Sequence, residues 1–487
     1  MLIRLLSIFF FLLFFTGCLP GQMTWTSSNS NRSSGNANSN DSSDGTGSGE
    51  NGGGNGGKGT PPAGGNVNGN FRQRYGYTYN EGPDSFSHRE YGKGIVQLHD
   101  GRVVMGMTQQ LDSGESGVCG VYVLNSDGTR DTTTNNGLEG AIRFDIPDSS
   151  DCQVNALAYS SAPGLLYLAG WVNMNSTGKN FLVARLIIKP NIEIDTSFGG
   201  ARTGYRFDQP VAGLPAEIRA LKIVGNESIF VAGSAPSDTS FDKDYFLVGK
   251  YSDKGIPDGA FGDRGSGFSK VILTLGATAI ANALTFDDSD GMTPLIHVMG
   301  NHQLEGDQGA VVSVNASTGS PRQNGLTSNV YLFTDQKEIV DVAFQSINSR
   351  PYLIFTGRKD PDATPAQGYI ARVAATNFAP DISFDGGEVT LPASQNTALY
   401  PIAMQLSADR VFLVARALDG VTSTTLYAYK NDGKLDGAFA NNGKPFPEEE
   451  FVSSMSFGLT GNLIMTGWDP LGNNDILFRS RIRNNEN

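Results

Sequence analysis

The chain has 487 residues, with 36 Lys or Arg against 49 Asp or Glu, for a formal net charge of −13. Nucleic-acid binding calls for a basic face, so this acidic balance argues against that partner class. The four histidines (His88, His99, His297, His302) show no metal-ligating spacing among themselves or with the three cysteines, and no cofactor is implied.

In chain order, residues 1–17 come first. Arg4 gives a positive start, and residues 5–15 form an apolar run of 11, too short to span a bilayer and suited to a secretory signal. The run ends in Phe15-Thr16-Gly17-Cys18, which resembles the lipobox of bacterial lipoproteins. The resemblance implies cleavage before Cys18 and acylation of that residue, and several acyl chains give stable membrane attachment. Leu19 follows, with no Asp there to suggest inner-membrane retention, so the outer membrane is the expected address. Residues 18–70 form the tether. From Thr26 to Asn70 it is almost wholly Ser, Asn and Gly, and such a segment buries too little apolar surface to offset ordering. Its flexible reach is roughly 35–40 Å.

Residues 71–487 carry two phrases that keep returning. One is an alternating apolar strand, a turn and a second strand ending in a small residue, as in "NALAYSSAPGLLYLAGW" at 155–171 and "IRALKIVGNESIFVAGS" at 218–234. It occurs seven times, and its small residues (Gly106, Gly170, Gly233, Gly300, Gly357, Ala415, Gly467) are spaced 64, 63, 67, 57, 58 and 52 apart. The other is a turn: "IEIDTSFGG" at 192–200, "IPDGAFGDRG" at 256–265, "APDISFDGG" at 379–387 and "KLDGAFANNG" at 434–443. Period-two alternation marks strands, the Asp-Gly, Asn-Gly and Gly-Gly pairs mark tight turns, and no helical stripe is present. Four strand-like pieces make up each unit. The third is read as 204–207, 218–224, 228–233 and 244–252. Seven such units predict an all-β, seven-bladed β-propeller of four-stranded antiparallel blades.

These phrases resemble the delta-60 repeat of bacterial secreted proteins, with its "LDxSFGxxG" turn and "ALxxxxDGxIxxAG" hairpin. The match is weak at 131–137, where Thr replaces Phe, and nearly absent at 321–325, so two irregular blades are expected. The family implies a propeller in a secreted or cell-surface setting and no particular reaction. The recurring Asp is expected to accept backbone N–H bonds within its turn. The Phe is expected to bury between neighbouring blades, contributing roughly 2–3 kcal/mol.

Candidate functional residues are few. Cys119 and Cys152 either form a disulfide or remain two buried thiols. Calcium is a weak candidate at 124–133 and 287–292, where oxygen ligands cluster around a Gly without the full loop spacing. His297, inside an apolar strand, reads as a hydrogen-bonded packing residue. The position just after each hairpin-ending residue varies: Met107, Trp171, Ser234, Asn301, Arg358, Arg416 and Trp468. Trp171, Arg358, Arg416 and Trp468 are therefore expected to share one ring and to contact ligand, since Trp and Arg are enriched at binding hot spots. The expected protein is a monomeric, membrane-anchored binding or adhesion module for an extracytoplasmic protein or glycan. The alternatives are a hydrolase or lyase acting on a surface polysaccharide, and an envelope assembly scaffold.

Overall fold

The computed structural model describes residues 71–75 and, apart from several connecting segments, 89–481. The signal, Cys18, the tether and His88 lie outside the described residues. Seven antiparallel sheets account for the described strands. Sheet I holds Arg89–Gln97, Val103–Gln110, Val118–Leu124 and Ala141–Phe144. Sheet II holds Ser149–Ser160, Leu165–Met174, Gly178–Ile188, Tyr205–Asp208 and the short Ile192–Ile194. Sheet III holds Glu217–Val224, Ser228–Pro236, Asp244–Tyr251 and Phe268–Ile272. Sheet IV holds Thr278–Asp287, Leu295–Gln303, Asp307–Asn315 and Val330–Phe333. Sheet V holds Glu338–Ile347, Arg350–Arg358, Gly368–Ala374 and Glu388–Thr390. Sheet VI holds Leu399–Leu406, Arg410–Ala417, Thr424–Lys430 and Lys444–Pro445. Sheet VII holds Phe451–Phe457, Leu463–Asp469 and Asp475–Arg481, and takes Phe71–Tyr75 as its outer strand.

Two expectations are corrected. Sheet II has five strands rather than four, because Ile192–Ile194 of the turn phrase also pairs with Gly178–Ile188. The unit boundary also moves by one strand. Of residues 204–207, expected to open the third unit, 205–207 fall in Tyr205–Asp208, which pairs with Gly178–Ile188 and so completes sheet II. The physical reason is that the turn phrase reverses the chain onto the free edge of the strand just finished. The following strand therefore closes the old sheet instead of starting a new one. By the same logic the leading strand Phe71–Tyr75 pairs with Asp475–Arg481, so both ends of the described chain meet in one sheet.

The first strands of sheets I to VII pack each on the next, and that of sheet VII packs back on that of sheet I. The core is divided accordingly. Each of seven apolar clusters spans two neighbouring sheets, from the I–II cluster around Val121 and Val154 to the VII–I cluster joining Ile464 to Met105. The arrangement is all-β and propeller-like. Among the described residues no helix is long and apolar enough to cross a membrane.

The turn phrase acts as a joint. Asp195 accepts hydrogen bonds from Ser197 N–H (3.0 Å) and Oγ (2.7 Å), as Asp381 does from Ser383 (3.1 and 2.8 Å). Phe198, Phe261 and Phe384 are fully buried, each in a cluster shared with the next sheet. In sheets II and V a cation on the third strand completes the joint. Arg185 donates to Asp195 at 2.7 Å and lies 4.9 Å from the Phe198 ring centre, and Arg372 does the same with Asp381 (2.7 Å) and Phe384 (4.8 Å). Both guanidinium groups then reach a backbone carbonyl of the following sheet's turn, Asp253 and Asn431. Cys119 and Cys152 are joined by a disulfide, Cα–Cα 5.6 Å, which ties sheet I to sheet II.

Candidate functional site: a central polar cavity

Every first strand carries a register irregularity at the same place. The extra residue is Asn155 in sheet II, Arg219 in III, Asn282 in IV, Val340 in V, Ile402 in VI and Ser453 in VII, and Lys93-Gly94 in I. A bulge bends its strand and re-aims one side chain. It also explains the small residue that ends each hairpin. A Cβ on Gly170, Gly233, Gly300 or Gly357 would overlap the first-strand carbonyl of Gln153, Glu217, Ile280 or Glu338.

The bulges converge. A cavity of about 310 Å³ is lined by Lys93, Asn155, Arg219, Asn282, Val340 and Ser453 together with Gln153, Glu217, Glu338, Tyr400 and Ser454. All are first-strand residues, drawn from all seven sheets. A polar network runs along this wall. Lys179 lies 4.3 Å from the Trp171 ring centre and donates to Glu217 at 3.0 Å. Arg219 donates to Glu217 at 2.5 Å and, through Nη1, to Asn282 Oδ1 at 3.1 Å. Asn282 Nδ2 donates to the Ile339 carbonyl at 2.7 Å. Glu338 accepts from Arg358 Nε at 2.5 Å and from the Tyr400 hydroxyl at 3.3 Å, while the Arg358 guanidinium lies 4.5 Å from the Tyr400 ring centre. On the other side, Lys93 Nζ donates to Asn155 Oδ1 at 3.3 Å, and Asn155 Nδ2 to the Ile218 carbonyl at 2.7 Å.

Charges in the wall follow from these contacts. Burial acts to raise the Glu217 carboxyl, but Arg219 and Lys179 outweigh it and hold the group below the usual carboxylate range. Burial pushes the Tyr400 hydroxyl up to about 12, with the neighbouring Glu338 charge adding to the effect. Burial lowers the Lys93 amine, and Arg219 lowers it further against the pull of Glu217.

The ring read from the sequence lies one row behind the cavity. Trp171 pairs across the sheet with Gln153 and donates Nε1–H to its Oε1 at 2.9 Å. Arg358 stands opposite Glu338, and half-buried Arg416 opposite Tyr400. Trp468 is in register with Phe451, and its side chain lies outside the described residues. Trp171, Arg358 and Arg416 therefore stand beside the lining residues Gln153, Glu338 and Tyr400 and are not among those that line the cavity. Sequence reasoning missed the lining, Lys93, Glu217, Arg219, Asn282 and Glu338 above all. A polar residue interrupting the apolar alternation, as in "EIRAL" and "IANAL", was the available signal.

Part of the 124–133 calcium candidate, Asp127 included, lies outside the described residues. Asp131 is engaged by Thr133 and Arg102, Asp290 by Thr293, and Asp287 by Ser289 and His297. Among the described residues no group of three His, Cys, Asp or Glu would hold a metal. His297 is buried, with Nδ1 2.7 Å from Ser313 Oγ and Nε2 3.3 Å from Asp287 Oδ2. His99 stacks on Tyr159, and His302 is buried.

No family model matches the chain, and no curated protein sequence does. Among solved structures it is similar to a PL25 ulvan lyase polysaccharide lyase, at 8% identity and TM-score 0.43, over 81% of this chain and 94% of that one. An ancestral GH74 enzyme gives 11% and 0.45, over 85% of this chain and 52% of that one. A mutant Trypanosoma rangeli sialidase displaying trans-sialidase activity gives 9% and 0.37, over 74% and 58%. None of the three reaches 0.5.

Proposed function

We propose that the chain is an outer-membrane lipoprotein whose seven sheets form a seven-bladed propeller of the delta-60 type, and that the central cavity binds an extracytoplasmic glycan. The observation that carries this reading is the cavity lining. It offers amides (Gln153, Asn155, Asn282), hydroxyls (Tyr400, Ser453, Ser454) and two carboxylates with cations already in place. Such directional donors and acceptors suit a ligand dense in hydroxyl groups, and the size falls in the range of small-ligand sites. The lipobox and the tether support a head that meets its ligand clear of the lipid surface.

Glu217 does not fit the role of a glycosidase's acid. A glycosidase acid must be protonated at working pH, with its pKa raised. Glu217 is shifted the other way.

Two experiments test the reading. A Glu338→Gln, Tyr400→Phe variant should keep its fold and lose glycan retention by about tenfold or more, as removal of hydrogen bonds to a charged group does. Unchanged retention sinks the cavity as the site. Cys18→Ser should move the protein from the membrane fraction to the soluble fraction, and continued membrane retention argues against lipidation.

A further inference from the structure

We propose that the glycan is acidic and that its oxyanion, a carboxylate or a sulfate ester, docks on the Lys93 ammonium. This rests on the glycan-binding reading and narrows its ligand class.

The argument starts from charge pairing in the wall. Glu217 is held by Arg219 and Lys179, and Glu338 by Arg358. Arg219 spends its remaining nitrogen on Asn282. Lys93 differs from all of these. It lines the same cavity, its hydrogen-bond partner is the neutral Asn155 amide oxygen at 3.3 Å, and among the described residues it forms no ion pair. An ammonium has three N–H donors, so two are left for a ligand. A half-buried cation without a counter-ion is costly, and an incoming oxyanion would offset that cost with a charge-assisted hydrogen bond. Burial, Arg219 and Lys179 together outweigh the pull of Glu217 on the amine, so the positive charge here is under-compensated. The chain as a whole carries −13 and repels anions at long range, so the selection is local to this lysine.

Asn155 positions the group. Its Oδ1 faces Lys93 while its Nδ2 is fixed on the Ile218 carbonyl of the next sheet, so the amide cannot turn without losing a bond. The cation is therefore set by the joint between sheets I, II and III.

The test uses the full chain and two matched ligand pairs measured by calorimetry. One pair is trigalacturonate and its methyl ester, and the other a sulfated galactan tetrasaccharide and its desulfated form. The acidic member of at least one pair should bind about tenfold tighter or more, and the pair identifies the oxyanion. In Lys93→Met the preference should fall to within about twofold, and in Lys93→Arg it should persist. Equal binding of both members of both pairs overturns the inference and leaves the glycan reading standing. A preference that survives Lys93→Met also overturns it. If no member binds, the glycan reading itself fails. Should Lys93→Met not fold, salt decides: going from about 0.05 to about 0.5 M should erase the preference in the wild type, and a preference indifferent to salt refutes the ion pair.

Discussion

At the scale of single residues, the chain repays attention where one position takes different residues in different sheets. Val340 occupies the bulge that Asn155 and Asn282 occupy elsewhere, so it has no amide to cross to the next sheet. Its neighbour Asp341 crosses instead, accepting from Met404 N–H of sheet VI at 2.8 Å and from Val342 N–H at 2.8 Å. Burial pushes the Asp341 carboxyl up to about 6, against those two hydrogen bonds. The native state thus binds this proton more tightly than the unfolded chain, so stability from this group falls as pH rises from about 4 to about 6 and is level above. Asp341→Asn should therefore gain on the wild type across that window, by at most about 3 kcal/mol, as urea midpoints at several pH values would show. Asp195 and Asp381 act in a lower window. Burial opposes ionisation, but the serine bonds and the arginines hold both below the usual range, so their contribution is lost only as pH falls below about 4. Gly233 illustrates the other kind of constraint. Gly233→Ala would press a methyl into the Glu217 carbonyl and should cost roughly 1–3 kcal/mol or more in urea unfolding, in keeping with overpacking.

At the scale of elements, the joints obey one complementary rule. Gly255 of the sheet III turn is a glycine because its φ is +72° and because a Cβ there would overlap the Phe198 ring from sheet II. At the IV–V joint the donor turn lacks its Phe, and the position matching Gly255 is Phe378, buried at φ +58°. Its ring meets His297 edge-on at 6.3 Å, where Tyr167, Phe230 and Phe412 stand in other sheets. Ser313 stands where Arg185 and Arg372 do, which explains the buried Ser313–His297–Asp287 chain as a replacement joint. Phe384→Ala should cost about 3–5 kcal/mol, measured by chemical unfolding, and Phe378→Gly a comparable amount despite relieving the backbone. The weak turn at 321–325 was legible in the sequence as an irregular joint. Its compensation was not, because Phe378 lies over fifty residues away and has no repeat partner of its own type.

At the scale of the whole molecule, the pairing of the first and last described strands bears on stability. Phe71–Tyr75 covers the edge strand Asp475–Arg481. Deleting residues 71–75 should leave that edge open, lower the thermal midpoint and promote association, which light scattering would detect. The Cys119–Cys152 link closes a separation of 33 residues, and Cys119→Ser, Cys152→Ser should lose about 3–4 kcal/mol by the loop-closure relation.

The seven-fold recurrence, its strand character, the buried turn Phe and the lack of that Phe at 321–325 follow from residue order alone. Period-two patterning, turn chemistry and repeat spacing are local properties that any single chain displays. The sheet boundaries, the meeting of the two chain ends and the cavity wall required the tertiary structure. A repeat has no intrinsic starting strand, so its phase is set only by which edge each strand finds. Lys93, Glu217, Arg219 and Glu338 lie as much as 245 positions apart in the chain. Only the packing of the first strands, each bent by its own bulge, brings them to one cavity.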